Sequence, residues 1–335
     1  MAEKMRAVGY RKALPISDPA SLEDLEIPVP EPGPRDLLVR VEAVSVNPVD
    51  VKVRASTDPG REPKILGYDA AGVVVGTGDR VTLFSPGDEV YYAGTMNRPG
   101  ADAQFHVVDE RIVGHKPRSL TFAQAAALPL TTITAWEVLF DRFRLTPESS
   151  GVLLVLGATG GVGSMVTQLA RALTRLVIIG TASRPESERW VLDHGAHHAI
   201  DYHDLARGVF GITPDGVTHI FSAHTAGSIE TFAEILQPFG AITAIDDPEG
   251  LDIVPLKPKA ITFHWEYMFA RPLYQTLDMV EQHELLDRVA EMIDEGTIQT
   301  TLTQELGPIN AETLREAHRL VEAGRMVGKV VVSGW

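Results

Sequence analysis

Gly157-Ala158-Thr159-Gly160-Gly161-Val162-Gly163 is the stretch on which the reading of this chain turns. It follows the apolar run Val152-Leu153-Leu154-Val155-Leu156 directly, and an amphipathic helical pattern runs on from Gly163 to Leu173. Strand, glycine-rich turn and helix in this order suit a pyrophosphate. Glycines let the backbone turn tightly and approach the phosphates, and the helix N-terminus offers unpaired N–H groups and a positive dipole end. A tight turn without a ligand would use the same residues, so the flanking pattern decides. Leu176 to Gly180 reads as the next strand, and Pro185 to His194 as a helix ended by Gly195. His219 to Ser222, Glu230 to Leu236 and Ala241 to Ile245 continue as strand, helix and strand. This βαβαβ order predicts a doubly wound parallel sheet of the Rossmann kind, with Ala158, Gly160, Gly161, Val162 and Gly163 cradling a dinucleotide.

The end of the second strand selects the dinucleotide. An acidic residue there accepts the ribose hydroxyls of NAD. Gly180-Thr181-Ala182-Ser183-Arg184 has no carboxylate. Ser183 is suited to donate to a 2′-phosphate and Arg184 to pair with it, which favours NADP(H). The plainer alternative is a helix N-cap at Ser183 beside a solvated arginine.

Outward from this core the texture changes on both sides. The first third is rich in short extended runs: Leu37 to Val44, Gly72 to Gly76, Arg80 to Phe84 and Glu89 to Tyr92, with Ser85-Pro86-Gly87-Asp88 as a turn. A small antiparallel barrel suits it. Helical residues follow at Gln124 to Leu128 and Thr134 to Phe143, and Pro272 to Gly296 is mostly helical. Lys329-Val330-Val331-Val332 is a strand with no partner nearby and is expected to return to the first region. The expected division is 1–126 for the barrel, 127–264 for the dinucleotide domain and 265–335 for the return. The 335 residues, 44% hydrophobic and 22% charged, suffice for two domains with a real core. A net charge of −15 argues against nucleic-acid or anionic-membrane partners. There are no cysteines, no long apolar span, and no leader pattern at Met1 to Arg6, so a cytoplasmic location is expected.

Several segments together resemble the medium-chain dehydrogenase/reductase superfamily. These are Asn47-Pro48-Val49-Asp50, Leu66-Gly67-Tyr68-Asp69-Ala70-Ala71-Gly72-Val73-Val74, Phe84-Ser85-Pro86-Gly87-Asp88-Glu89-Val90, Ala125 to Trp136, and Gly328-Lys329-Val330-Val331. They span nearly the whole chain. The branch they resemble is that of quinone oxidoreductases and zinc-type alcohol dehydrogenase-like proteins. The resemblance implies an α/β fold in which a Rossmann doubly wound parallel sheet is inserted in a GroES-like β-barrel domain. It also implies an active site in the cleft and a homodimer, often formed through the sheet edge.

The zinc enzymes of that superfamily hold the metal with Cys, His and Cys. The matching positions here are Asn47, Tyr68 and Pro129–Thr131, none a good ligand, and His194, His197 and His198 read as solvated surface, so no metal is expected. The resemblance then implies hydride transfer to a small-molecule carbonyl, enone or quinone. Asn47 either orients the acceptor oxygen or forms the turn before Pro48. Tyr68 either gives a proton to the reduced acceptor or packs, and Asp50 and Lys52 are either a surface pair or site residues. Thr134 matches a nicotinamide contact, or caps a helix. Tyr202 matches a position beside the adenosine phosphate, and Lys329 a basic residue near the phosphates or ribose, or else an exposed charge. His224 follows the fourth strand as a cofactor contact or a structural histidine. Trp265 lines the substrate, forms the dimer contact or, as the safer reading, is buried packing; Phe84, Tyr92, Met96 and Trp265 are candidates for an apolar pocket wall. A zinc-dependent alcohol dehydrogenase and a non-catalytic NADPH-binding protein are the competing readings.

Overall fold

In the computed structural model, residues 3–335 are described. Met1 and Ala2, part of the stretch read for a leader, lie outside the described residues. The chain forms two compact units, Thr131–Met268 and the pair of segments Met1–Leu130 with Phe269–Trp335. Both junctions fall four residues later than the divisions at 126 and 264 read from the sequence.

The unit Thr131–Met268 is a six-stranded parallel sheet. Its elements are β1 (Ser150–Leu156), α1 (Gly161–Leu173), β2 (Arg175–Thr181), α2 (Pro185–Asp193), β3 (His198–Ile200), α3 (Leu205–Ile212), β4 (Val217–Ser222), α4 (Ile229–Ile235), β5 (Leu236–Ala244) and β6 (Thr262–Trp265). The strands lie in the order β3-β2-β1-β4-β5-β6. This is the doubly wound order whose switch point lies between β1 and β4. Leu154, Leu156, Ile179, Ile220, Phe232 and Ile242 form the centre of one buried apolar cluster. In α1, Met165, Val166, Leu169 and Ala170 are buried while Arg171 is exposed, as a helix packed on a sheet requires. Pro185 starts α2 at its first turn, and Gly195, at φ 101°, takes the left-handed conformation just past its end. Ahead of β1, the helix Pro129–Trp136 runs into a π-turn over Glu137–Arg142 rather than continuing as one α-helix to Phe143.

The other unit is mainly antiparallel. Its seven-stranded sheet is centred on Asp36–Ser45, which pairs with Ala70–Thr77, Phe105–Asp109 and the C-terminal strand Lys329–Ser333. Two register shifts against Ala70–Thr77 mark bulges, which let this long strand bend and serve several partners. Val331 lies opposite Ser45, so the last strand closes the first segment's sheet. Arg80 to Phe84 is not a strand. The N–H groups of Thr82 and Leu83 donate at 2.7 and 2.8 Å to Glu110 Oε2, a buried carboxylate that also takes Arg35 Nη1 at 2.7 Å. The backbone of this segment is satisfied by a side chain instead of a ladder. Among the described residues no helix is long and apolar enough to cross a membrane.

Candidate functional site

The glycine turn is built around close backbone approach. Gly157 leaves β1 at φ 77°, and the N–H of Gly160 returns to Gly157 O at 3.0 Å. Gly160 is the extended N-cap of α1, and no side chain caps the helix there. A Cβ on Gly163 would press into Gly157 O and lie 2.7 Å from Ala158 Cα, so glycine is needed for the turn to close. A Cβ on Gly160 would meet nothing nearer than Gly157 O at 3.5 Å. The space beside Gly160 is open, and α1 offers its N-terminal N–H groups there. Those features fit a dinucleotide diphosphate.

Side chains strap the turn in place. Gly157 N–H donates to Thr181 Oγ1 at 3.1 Å, and that hydroxyl donates to Val155 O at 3.3 Å. Ser164 Oγ donates to Ala158 O at 3.3 Å and accepts from Trp190 Nε1 at 2.9 Å, tying α2 to the turn. Thr181→Val leaves the partly buried Gly157 N–H without its acceptor. We expect a loss of about 1–3 kcal/mol in stability with weakened coenzyme binding, read by urea unfolding and by fluorescence titration; an unchanged unfolding midpoint contradicts the strap.

The structure brings Ala158, Gly160, Gly161, Val162 and Gly163 together and sets His224 beside them. His224 Cδ2 and Nε2 lie 3.8 and 3.9 Å from where a Cβ on Gly157 would sit. Ser183 and Arg184 are exposed just past β2. The N-cap of α2 is Arg184, extended at φ −136°, and not Ser183, so the serine hydroxyl is not used as a cap. Ala182 N donates to Ile200 O at 2.9 Å, which lays the start of the Tyr202 turn beside Ser183; Tyr202 itself is exposed. Thr134 is buried near the end of the helix Pro129–Trp136, so it does not cap that helix. His194 is buried and stacked on Trp190 at 3.9 Å, not solvated; burial lowers its pKa, while His197 and His198 are exposed. Trp265 is half exposed on the edge strand β6, against its reading as buried packing.

In the antiparallel unit, Asn47, Asp69 and Lys329 form a buried polar knot. Lys329 Nζ donates to Asn47 Oδ1, to Val46 O at 3.3 Å and to Asp69 Oδ2 at 3.1 Å. Asn47 Nδ2 donates to Asp69 Oδ2 at 2.8 Å, and Leu130 N to Asp69 Oδ1 at 2.7 Å. Lys329 is therefore not an exposed charge; it is a buried ion-pair partner of Asp69. Asn47 is the N-cap of the helix Pro48–Ser56, and its N–H donates to Asp50 Oδ2 at 2.8 Å. Asp50 Oδ1 accepts from Gly67 N at 3.0 Å, so Asp50 is buried while Lys52 is exposed. Burial pushes Asp50 up to about 7 and raises Asp69 above the usual carboxylate range despite Lys329. Asp102, packed against Gly67, is likewise raised well above it by burial and then by Asp50. Tyr68, between these acids in sequence, is fully buried and meets Phe269 edge-on at 5.5 Å. Of the pocket-wall candidates, Phe84 packs against His115 and His283, and Tyr92 is buried with its hydroxyl 3.1 Å from His106 Nδ1.

Sequence reasoning left Asp50 open between a surface pair and a cleft residue, and it missed Asp69 in the knot and Asp102 beside it. The available signal was a carboxylate set in a run of small apolar residues, Asp69 before Ala70-Ala71-Gly72. The knot does not fit a zinc ion. The amide and phenol of Asn47 and Tyr68 are poor ligands, an ammonium already occupies Asn47 Oδ1, and among the described residues no group of three or more His, Cys, Asp or Glu could hold a metal.

Comparisons with known proteins agree with this architecture. The model of the alcohol dehydrogenase GroES-like domain matches residues 33–135, and that of a zinc-binding dehydrogenase matches residues 194–332. A zinc-type alcohol dehydrogenase-like protein of Staphylococcus aureus strain COL is 40% identical, over 98% of this chain and 100% of its own length. A quinone oxidoreductase of Pseudomonas aeruginosa is 30% identical over 99% of both chains. A crystal structure from Rhizobium etli, provisionally described as a zinc-dependent alcohol dehydrogenase, superposes with a TM-score of 0.97 at 50% identity, covering 100% of this chain and 99% of that one. An inserted parallel sheet of 3-2-1-4-5-6 order, a GroES-like unit closed by the last strand, and full-length relatives of this kind lead to one assignment. The chain belongs to the medium-chain dehydrogenase/reductase superfamily of nicotinamide-dependent oxidoreductases, in its zinc-type alcohol dehydrogenase-like and quinone oxidoreductase branch.

Proposed function

We propose that the protein is an NADPH-dependent reductase that passes hydride to a quinone or an α,β-unsaturated carbonyl without a metal. The observation that carries this reading is the use of Asn47 Oδ1 as an acceptor for the Lys329 ammonium, at the position where zinc relatives place a ligand. An ammonium beside that atom repels a dication. Without a metal to lower an alcohol's pKa, oxidation of alcohols is disfavoured, and reduction of an already electrophilic acceptor is the chemistry that remains.

When bound, NADPH supplies the hydride. The chain's own residues do the rest. The α1 N-terminus and the open face of Gly160 hold the diphosphate, with His224 alongside. Ser183 and Arg184 hold the 2′-phosphate, since the end of β2 offers no carboxylate to ribose hydroxyls. Thr134 and Tyr202 are assigned to the nicotinamide and adenosine sides respectively. Asn47 is held by Lys329 and Asp69 so that its amide cannot rotate, and Tyr68 carries the O–H that gives a proton to the reduced acceptor. A homodimer through the edge of β6 belongs to the same reading, and the exposed indole of Trp265 on that edge supports it.

The test is a comparison of NADPH with NADH, followed by a panel of quinones and enones with semiquinone monitored. Arg184→Ala is expected to weaken NADPH binding about tenfold, the worth of one exposed charge-assisted hydrogen bond of about 1.5 kcal/mol, and to leave NADH unchanged. Equal discrimination in the variant removes Arg184 from the account. Stoichiometric zinc lost together with activity on chelation overturns the metal-free reading.

A further inference from the structure

Glu137 and Glu266 are both buried in the unit Thr131–Met268, and nothing above uses them. Their carboxyl groups meet at one guanidinium, that of Arg142. Arg142 faces both: its Nε donates to Glu266 Oε2 at 2.7 Å, and its Nη2 lies 4.0 Å from Glu137 Oε2. Glu266 Oε1 is fully buried and receives no hydrogen bond among the described residues. Two buried carboxylates carry one charge more than this guanidinium balances, so the pair holds one proton, and its remaining charge then balances Arg142. The π-turn Glu137–Arg142 makes this arrangement: its wider ring stacks the first and last residues on one face, a local geometry that recurs at functional sites.

The place of the pair in the sheet gives the shared proton a use. Glu266 is the first residue past the carboxyl end of β6, and its N–H donates to Ala244 O, at the carboxyl end of β5, at 3.0 Å. Ligands of doubly wound sheets lie outside the carboxyl ends of the strands, one mononucleotide on each half. With the glycine turn after β1 and the 2′-phosphate residues after β2, the half formed by β4, β5 and β6 is left for the nicotinamide. His264, two residues before Glu266, has its pKa lowered by burial and then by Arg142 and Arg144.

We propose that the Glu137–Glu266 pair is a proton-binding site coupled to the oxidation state of the nicotinamide. It keeps the shared proton beside the neutral reduced ring and releases it to solvent beside the cationic oxidised ring. This rests on the coenzyme reading above. Burial, and then Glu137, push Glu266 up to about 9, so the pair is protonated at neutral pH and has a proton to lose when a cation arrives. The sign follows: binding of NADP+ favours the deprotonated pair, so its affinity rises with pH up to about pH 9, by at most about tenfold per pH unit, while NADPH affinity stays flat.

The experiment is calorimetric titration of the full-length protein with NADP+ and with NADPH, near pH 8, in two buffers of different ionisation heat. Both coenzymes carry the same 2′-phosphate, so the difference in proton count isolates the pair. We expect about half a proton or more released per NADP+ and almost none per NADPH. Glu137→Gln and Glu266→Gln each leave a single carboxylate to Arg142 and remove the need for the shared proton. Either variant is expected to bind both coenzymes with equal proton counts. Equal counts in the unaltered protein, or an unequal count that survives in either variant, overturns the inference alone. Failure to bind either coenzyme overturns the coenzyme reading and this inference with it.

Discussion

Gly160→Ala is expected to leave the unfolding of the free protein unchanged and to weaken coenzyme binding at least about 100-fold, about 2.7 kcal/mol. The two halves of that result have different causes. Gly160 sits at φ −77°, ψ 171°, which any residue adopts, and a Cβ there meets only Gly157 O at 3.5 Å, an ordinary contact. The fold therefore has no reason to object. The methyl instead fills the open side of the turn, where a diphosphate must come within hydrogen-bonding distance of the α1 N–H groups. Gly163→Ala is the contrasting change. Its Cβ meets the backbone of Gly157 and Ala158, neither of which can swing away, so the turn itself must open. We expect that variant to lose about 1–3 kcal/mol of stability as well as binding. Fluorescence titration and thermal unfolding of both variants separate the two cases. If Gly160→Ala binds NADPH as tightly as the unaltered chain, the turn does not cradle the diphosphate.

The parallel sheet was readable because its information is local. Each strand and helix of that unit follows the last within a few tens of residues, and apolar runs broken by glycine announce them in order. The glycine turn carries its own geometry for the same reason. The antiparallel unit hides more. Arg80 to Phe84 has the composition of a strand, but Glu110 supplies its hydrogen bonds, and no periodicity in the segment reveals that acceptor. Lys329 was visible as a basic residue at the head of a closing strand. That its ammonium is buried against Asp69, rather than turned to solvent, depends on Val331 pairing with Ser45 across the whole length of the chain. The Glu137–Glu266 pair depends in the same way on a π-turn meeting the end of the last parallel strand. Burial patterns along one segment say that a side chain is inside; the topology decides what it meets there.

Lys329→Met is expected to cost about 3–5 kcal/mol at pH 8 and much less at pH 5, measured as urea unfolding midpoints at the two values. Methionine keeps the length and most of the volume, so the loss is electrostatic. Lys329 pairs directly with Asp69, and its charge also acts on Asp50. Removing the ammonium leaves Asp69, among the described residues, with the Asn47 amide and the Leu130 N–H as donors, in a fully buried position. The direction with pH follows from the raised carboxyls. Asp50 and Asp69 lie above their unfolded values near 4, so the native protein binds more protons than the unfolded chain, and stability falls as pH rises from there towards about 7. Without Lys329, Asp69 moves higher still, which steepens the fall and carries it further up the pH scale. At pH 5 a proton on Asp69 stands in for the lost cation. Adding Asp69→Asn to Lys329→Met is expected to restore most of the stability at pH 8, because a neutral pair of similar volume leaves no buried charge uncompensated. A single variant whose loss is under about 1 kcal/mol, or is the same at both pH values, means that the ion pair lies in water rather than in the interior, and the argument from Asn47 against a metal weakens with it.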